Sequence, residues 1–284
     1  MNASPRVTLL LGSAPDVMRC SAWPKDAFAS IVAINNAWRV RPDWDILVHA
    51  GDFPPERMPQ PDPMRQIFSA AHYVPAQNSF GGFVYAGATM SLTAAYWSIH
   101  NQRPDALAFL GCDMIYDDAG DTHFYGTGRA DPLRDDVTLQ SLEAKSARLL
   151  IHALRRGTLC VNLSDLPRSR LVFPKFSFEA VRELSPSLLA AMQSELRAGI
   201  DLDAVEVADA MEREFGYFYE DGILEPSRPD RWGQARPHRQ AVDCGCRGSG
   251  GAAAGGMQRG GVGAPISPPL RGNVAEGDRR GRRA

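Results

Sequence analysis

Ala106-Leu-Ala-Phe-Leu110, followed without a break by Gly111-Cys-Asp-Met-Ile-Tyr-Asp-Asp-Ala-Gly-Asp-Thr-His-Phe-Tyr-Gly-Thr-Gly-Arg-Ala-Asp-Pro-Leu-Arg134, decides the fold. Five consecutive apolar residues predict a strand buried on both faces, the kind a parallel sheet requires. A helical pattern begins near Asp135. The loop rich in Asp, Gly, Tyr and His therefore sits at the C-terminal end of a buried strand, the edge where open α/β sheets bind ligands. It carries a proton acceptor (His123), two phenols (Tyr116, Tyr125) and several glycines, a mixture that a plain connection rarely needs.

The same reading extends in both directions. Val7-Thr-Leu-Leu-Leu11, Ser30-Ile-Val-Ala-Ile-Asn35, Asp45-Ile-Leu-Val-His49 and Leu159-Cys-Val-Asn-Leu163 predict further strands, and His72-Tyr-Val-Pro75 a short edge strand. Helical spacing of apolar residues predicts a buried helix over 86–98 and an amphipathic helix over 137–156, with Gly157 as its stop. Strands alternating with helices imply an α/β fold with a mostly parallel sheet over residues 1–165. Residues 166–230 change character and predict a helical appendage, with helices over 177–182, 185–197 and 201–218. Ser185-Pro186 there is a cap followed by proline at the first helical position.

Residues 231–284 hold 13 of the 26 glycines and carry ten Arg against three acids, a charge of +7 that leaves −9 on the first 230 residues. Their composition predicts a disordered basic tail. It is either a peripheral contact for an anionic surface or an extension without a selected role, and the second is the plainer reading. The overall charge of −2 argues against a general nucleic-acid binder. Cys20, Cys112, Cys160, Cys244 and Cys246 show no metal-ligand spacing, which predicts reduced thiols and a cytoplasmic location, with the inner face of the membrane as the surface open to the tail. The first apolar run is too short for a secretion signal, and no run approaches the ~18 apolar residues of a spanning helix.

Chemistry-bearing residues cluster at strand ends. Gly12-Ser-Ala-Pro-Asp16 is a turn that lets a ligand approach the backbone, or an ordinary strand-ending turn. Asn35 presents a donor and an acceptor to a base or sugar, or bonds its own backbone. His49 and Asp52 share one strand-end loop. Gly81, Gly82 and Gly87 precede the buried helix and serve ligand approach, tight packing, or both. Asp113 holds a loop, a ribose or a metal. His123 is the candidate base, because imidazole titrates near neutrality. Arg129 and Arg134 either neutralise a phosphate or pair with nearby aspartates.

In this order, Gly12-Ser-Ala-Pro15, Asn35, a Gly-rich helix entry, Gly111-x-Asp113 with Tyr116 soon after, and Thr122-His-Phe-Tyr-Gly126 resemble bacterial sialyltransferases of glycosyltransferase family 42. Related uncharacterised Rossmann-like proteins share the early turn and the Gly-x-Asp strand end. The resemblance implies a Rossmann-like nucleotide-binding domain with a small helical region, and an inverting transfer of a sialic-acid-like sugar from a CMP-activated donor to a glycan hydroxyl. It implies no metal and no cofactor beyond the donor, and a homo-oligomer. Gly12 and Ser13 fall on the nucleotide turn, Asn35 on a nucleotide-contacting Asn and His49 near another. Tyr116 falls on a phosphate-binding Tyr, with Tyr125 the nearby substitute for a second, and Arg129 is a further phosphate contact. His123 falls on the general base.

Two other classes fit the same residues. A pyrophosphokinase would use Mg²⁺ on Asp113, Asp117, Asp118 and Asp121. A non-catalytic nucleotide-binding protein would keep the fold without turnover.

Overall fold

In the computed structural model, which describes residues 4–115, 122–126 and 141–215, six parallel strands form one sheet in the order β4-β3-β2-β1-β5-β6. They are β1 (Val7–Leu11), β2 (Ser30–Ile34), β3 (Ile46–Val48), β4 (Gln66–Phe68), β5 (Ala106–Leu110) and β6 (Leu159–Asn162). Register runs from Thr8 opposite Ser30 on one side of β1 and from Val7 opposite Ala106 on the other. Every residue of β1 and β5 is buried, as expected of strands covered on both faces.

Alternation along the strands divides their side chains between two cores. Leu10, Val32, Ile34, Leu107 and Phe109 join α1 (Ala70–Asn78), α2 (Met90–Asn101) and α3 (Leu142–Arg155) on one face. Leu9, Leu11, Ile31, Ala33, Ala108 and Leu110 join the 3-10 segments Pro15–Ala22 and Asn35–Arg39, together with α4 (Phe178–Arg182) and α5 (Pro186–Ala198), on the other. This is an α/β Rossmann-like architecture. All described residues belong to one compact unit, Met1–Arg247. None of their helices is long and apolar enough to cross a membrane.

The three helices expected beyond residue 165 form as α4, α5 and α6 (Leu202–Phe215). Ser177, Ser185 and Asp201 cap them by accepting from the amides of Ala180, Leu188 and Ala204. Trp23 stacks on Phe178 at 4.6 Å, and Gln193 Nε2 donates to Gly157 O at 2.7 Å. Gly157 ends α3 at φ +78. Residues 137–140, 216–230 and the basic tail lie outside the described residues.

One expected element is corrected. Residues 72–75 are not an edge strand but the middle of α1, and the edge strand is β4. The Ser69 amide donates to His72 Nδ1 at 3.2 Å, which closes the first turn and outweighs the extended preference of Tyr73, Val74 and Pro75. The helix expected from residue 86 begins four residues later, at Met90, where Thr89 Oγ1 accepts from the Leu92 amide at 3.3 Å. Gly81, Gly82 and Ala88 all have positive φ, so the preceding small residues form a loop rather than a first turn.

Candidate functional site

β1 pairs with β2 on one side and β5 on the other, so the chain reverses its direction of strand addition there. The crevice above the C-terminal ends of β1 and β5 is the topological switch point where such sheets bind ligands. Gly12 and Gly111 let the two strand-end loops cross. A Cβ on Gly12 would lie 2.2 Å from Gly111 O, and one on Gly111, which has φ +71, would lie 2.7 Å from Val17 Cβ.

This crossing consumes backbone donors. Gly12 N donates to Leu110 O at 2.8 Å, Ala14 N to Gly111 O at 3.0 Å and Val17 N to Ala14 O at 2.9 Å. Pro15 has no amide to offer. The turn is therefore a lock between β1 and β5 more than a phosphate cradle. Asp16 is also turned away from a phosphate role, with its carboxylate accepting from the Asp165 amide at 3.2 Å and lying 3.5 Å from Arg19.

Backbone donors remain at the start of α2. Met90 and Ser91 occupy its first turn, where amides have no intrahelical acceptor and the helix dipole favours an anion. Thr89 Oγ1 contacts Met114 Sδ at 3.5 Å and the Ser91 hydroxyl bonds the Cys112 thiol, so this helix end abuts the β5 tip. Burial pushes that thiol up to about 12, which keeps it an inert packing group. Gly87 is buried, and a Cβ there would meet Phe83 O at 2.4 Å, so its lack of a side chain serves the loop that leads into α2.

The hairpin 122–126 lies against the β1 tip. His123 N donates to Gly126 O at 3.2 Å and Gly126 N returns to His123 O at 3.0 Å, with Gly126 at φ +112. Phe124 N donates to Ser13 O at 2.9 Å, and its ring packs on the core beneath. His123 Nδ1 lies 2.8 Å from Thr122 Oγ1 and its ring stacks on Tyr125 at 4.9 Å. Partial burial holds the imidazole below its ordinary value of 6.5 and so keeps it neutral at pH 7. Nδ1 pairs with the Thr122 hydroxyl, and in the tautomer that carries its proton on Nδ1 the other ring nitrogen, Nε2, holds the lone pair a general base needs.

Gly12, Ser13 and His123 thus come together at one strand tip. Asn35 and His49 sit at the neighbouring tips of β2 and β3 but are engaged locally. Asn35, at φ +48, accepts from the Ala50 amide at 2.9 Å, and His49 Nδ1 lies 2.8 Å from Ala50 O. Asn36 beside them is 4% exposed, and its Oδ1 has no hydrogen-bond partner among the described residues. Tyr125 is 42% exposed on the hairpin. Tyr116 and Arg129 lie outside the described residues, as do Asp117, Asp118 and Asp121.

Asp113 ends the β5 loop at 1% exposure. Asn162 Nδ2, at the end of β6, donates to its Oδ1 at 3.2 Å and to Ser169 Oγ at 3.1 Å. Sequence reasoning passed over Asn162 because it sits inside an apolar strand run. A polar residue closing a buried strand at the ligand edge was the signal.

Away from this edge, His152, Asp209 and Glu212 are the described residues that gather like a metal centre, with ligand atoms within 4.8 Å of one another. Their charges are already spent. Arg148 holds Glu212 at 2.5 Å and Arg155 holds Asp209 at 2.7 Å, which disfavours a further cation. Burial, then Arg148, Arg155 and Arg156, push His152 down to about 2. A histidine whose folded value lies below its unfolded 6.5 takes its proton first in the unfolded chain, so acid destabilises the fold from about pH 6.5 downward. At about 1.4 kcal/mol per pH unit, this one group costs roughly 2–3 kcal/mol between pH 6.5 and 4.5. His152→Phe, which keeps the ring that packs edge-on to Phe80, should flatten the urea midpoint against pH across that window. An unchanged slope would assign the acid lability to other groups.

The chain matches no protein-family model, no curated protein and no solved structure, so the arrangement of side chains at the strand tips is what bears on its function.

Proposed function

We propose that this protein is an inverting, metal-independent glycosyltransferase that moves a sialic-acid-like sugar from a CMP-activated donor to a glycan hydroxyl. The observation that carries this reading is the placement of an imidazole at the switch point of a parallel α/β sheet, on a hairpin fixed to the β1 tip through Phe124 N and Ser13 O, with burial pushing the ring below its ordinary value. In the reaction the acceptor oxygen attacks the anomeric carbon, His123 Nε2 takes its proton, and the bond from that carbon to the CMP phosphate oxygen breaks with the electron pair leaving on the phosphate. The first-turn amides of α2, with Tyr116, Tyr125 and Arg129 as further candidates, stabilise the departing phosphate.

The test is thermal stabilisation of the full chain by CMP in EDTA, compared with ATP plus Mg²⁺, followed by transfer from CMP-sialic acid to a panel of glycans. CMP should stabilise without metal, and product should form with inverted configuration. Stabilisation by ATP plus Mg²⁺ alone would replace this reading with phosphoryl transfer using Asp113 and the aspartates that follow it. CMP binding without transfer across the panel would leave a binding protein.

A further inference from the structure

We infer that the tips of β5 and β6 form a hydroxyl-binding subsite in which Asp113 receives the vicinal diol of a ribonucleotide's ribose, with Asn162 as its positioning residue. The inference rests on the nucleotide reading above and specifies which part of the ligand lies over which strands.

Asp113 is 1% exposed, and its Oδ2 is both buried and without a hydrogen-bond partner among the described residues. Among the described residues Oδ1 is held by one neutral donor, Asn162 Nδ2 at 3.2 Å. The natural cation is directed elsewhere. Arg170 N donates to Asp113 O at 3.0 Å, yet its guanidinium reaches Glu143 at 3.1 Å and its buried Nε has no partner among the described residues. A buried carboxylate with one neutral hydrogen bond is expensive to keep, so an acceptor left open in this way calls for a donor supplied from outside the fold.

The orientation of Asn162 selects the kind of donor. Its Oδ1 accepts from the Ser164 amide at 3.0 Å, so its NH₂ group faces Asp113 and Ser169. An N–H donor beside the carboxylate cannot serve as a metal ligand, and the metal-like group among the described residues, His152, Asp209 and Glu212, does not include Asp113. A pair of neutral hydroxyls fits instead, one donating to Oδ2 and the other sharing Oδ1, each as a charge-assisted bond. β5 adjoins β1, so the ribose would lie about one strand spacing, ~4.8 Å, from the tip that carries Gly12 and His123. Oδ2 is covered in this structure, so ribose binding requires the residues over it to shift.

Affinities of the full chain for CMP, 2′-deoxy-CMP and 2′,3′-dideoxy-CMP, measured in EDTA, test the subsite. The wild type should prefer CMP over the dideoxy compound by roughly ten- to a hundred-fold. Asp113→Asn keeps the shape and the bond to Asn162. It should melt no lower than the wild type and bind all three within about twofold. Equal affinities in the wild type, a preference retained in Asp113→Asn, or a preference that needs Mg²⁺ would each overturn the inference. The two readings fail separately. A ribose preference without sugar transfer removes the reaction and keeps the subsite, whereas transfer without a ribose preference does the reverse.

Discussion

Alanine in place of His123 lowers sugar transfer by about 10²- to 10⁴-fold while CMP affinity stays within about twofold. The asymmetry follows from where the ring sits. The hairpin is attached to the β1 tip through Phe124 N and Ser13 O, and Phe124 supplies the packing, so removing the imidazole leaves backbone and anchor in place. The acceptor proton then goes to water, and the loss appears in turnover. The pH profile gives a second readout. Burial holds the ring below its ordinary value of 6.5, and a base is competent only when unprotonated. Transfer should therefore persist at pH 6.5 and fall with unit slope at lower pH. Thr122→Val, which removes the hydroxyl at Nδ1, should reduce turnover and move that limb. Turnover that survives His123→Ala, or an acid limb centred well above 6.5, would take the base role from this residue.

The parts of the fold legible in sequence are those where one signal is strong enough to stand alone. Predominantly apolar runs mark β1, β2, β3, β5 and β6 because both faces of the sheet are covered. Ser185, with Pro186 at the first position of α5, marks a helix start because side-chain capping is a local interaction. Edges are harder. Tyr73-Val74-Pro75 has strand composition, but the bond from the Ser69 amide to His72, the backbone bonds back to Ser69 O and the burial of Val74 and Ala76 place it in a helix. Ala86, Gly87 and Ala88 have the small side chains of a tightly packed helix, yet the positive φ of Ala88 excludes them from it.

At the site, sequence reading finds which residues gather at the strand ends but not how their atoms are used. Gly12 looks like a ligand turn. Its amide is spent on Leu110 O and its missing Cβ is filled by Gly111, a residue 99 positions away, and no local pattern records such a contact. Asn35 likewise looks available until Ala50 is seen to take its oxygen. Asp113 is the opposite case. Sequence leaves it open between holding a loop, a ribose or a metal, and burial shows an oxygen left without a partner among the described residues.

Arg148→Met costs about 3–5 kcal/mol of folding stability. Arg148 lies on α3 at 7% exposure and binds three groups at once. Nε and an Nη donate to Glu212 at 2.6 and 2.5 Å, the other Nη donates to the Tyr96 hydroxyl at 2.8 Å, and Phe80 O accepts at 2.6 Å. The rings of Tyr85 and Tyr96 lie 5.5 and 5.7 Å from the guanidinium carbon. Burial pushes the Tyr96 phenol up to about 12, so Glu212 supplies the countercharge. Removing the arginine strands that carboxylate, at 8% exposure, between α3 and α6. A loss of this size lowers the melting temperature by roughly 10 °C for a chain of this length, and hydrogen exchange should quicken first in α6. The pair itself need not be stabilising, because desolvating two charges offsets most of their attraction. Arg148→Met combined with Glu212→Leu should therefore recover most of the single-variant loss. If the double variant is as unstable as Arg148→Met alone, the stranded carboxylate is not the cause, and the bonds to Tyr96 and Phe80 carry the stability instead.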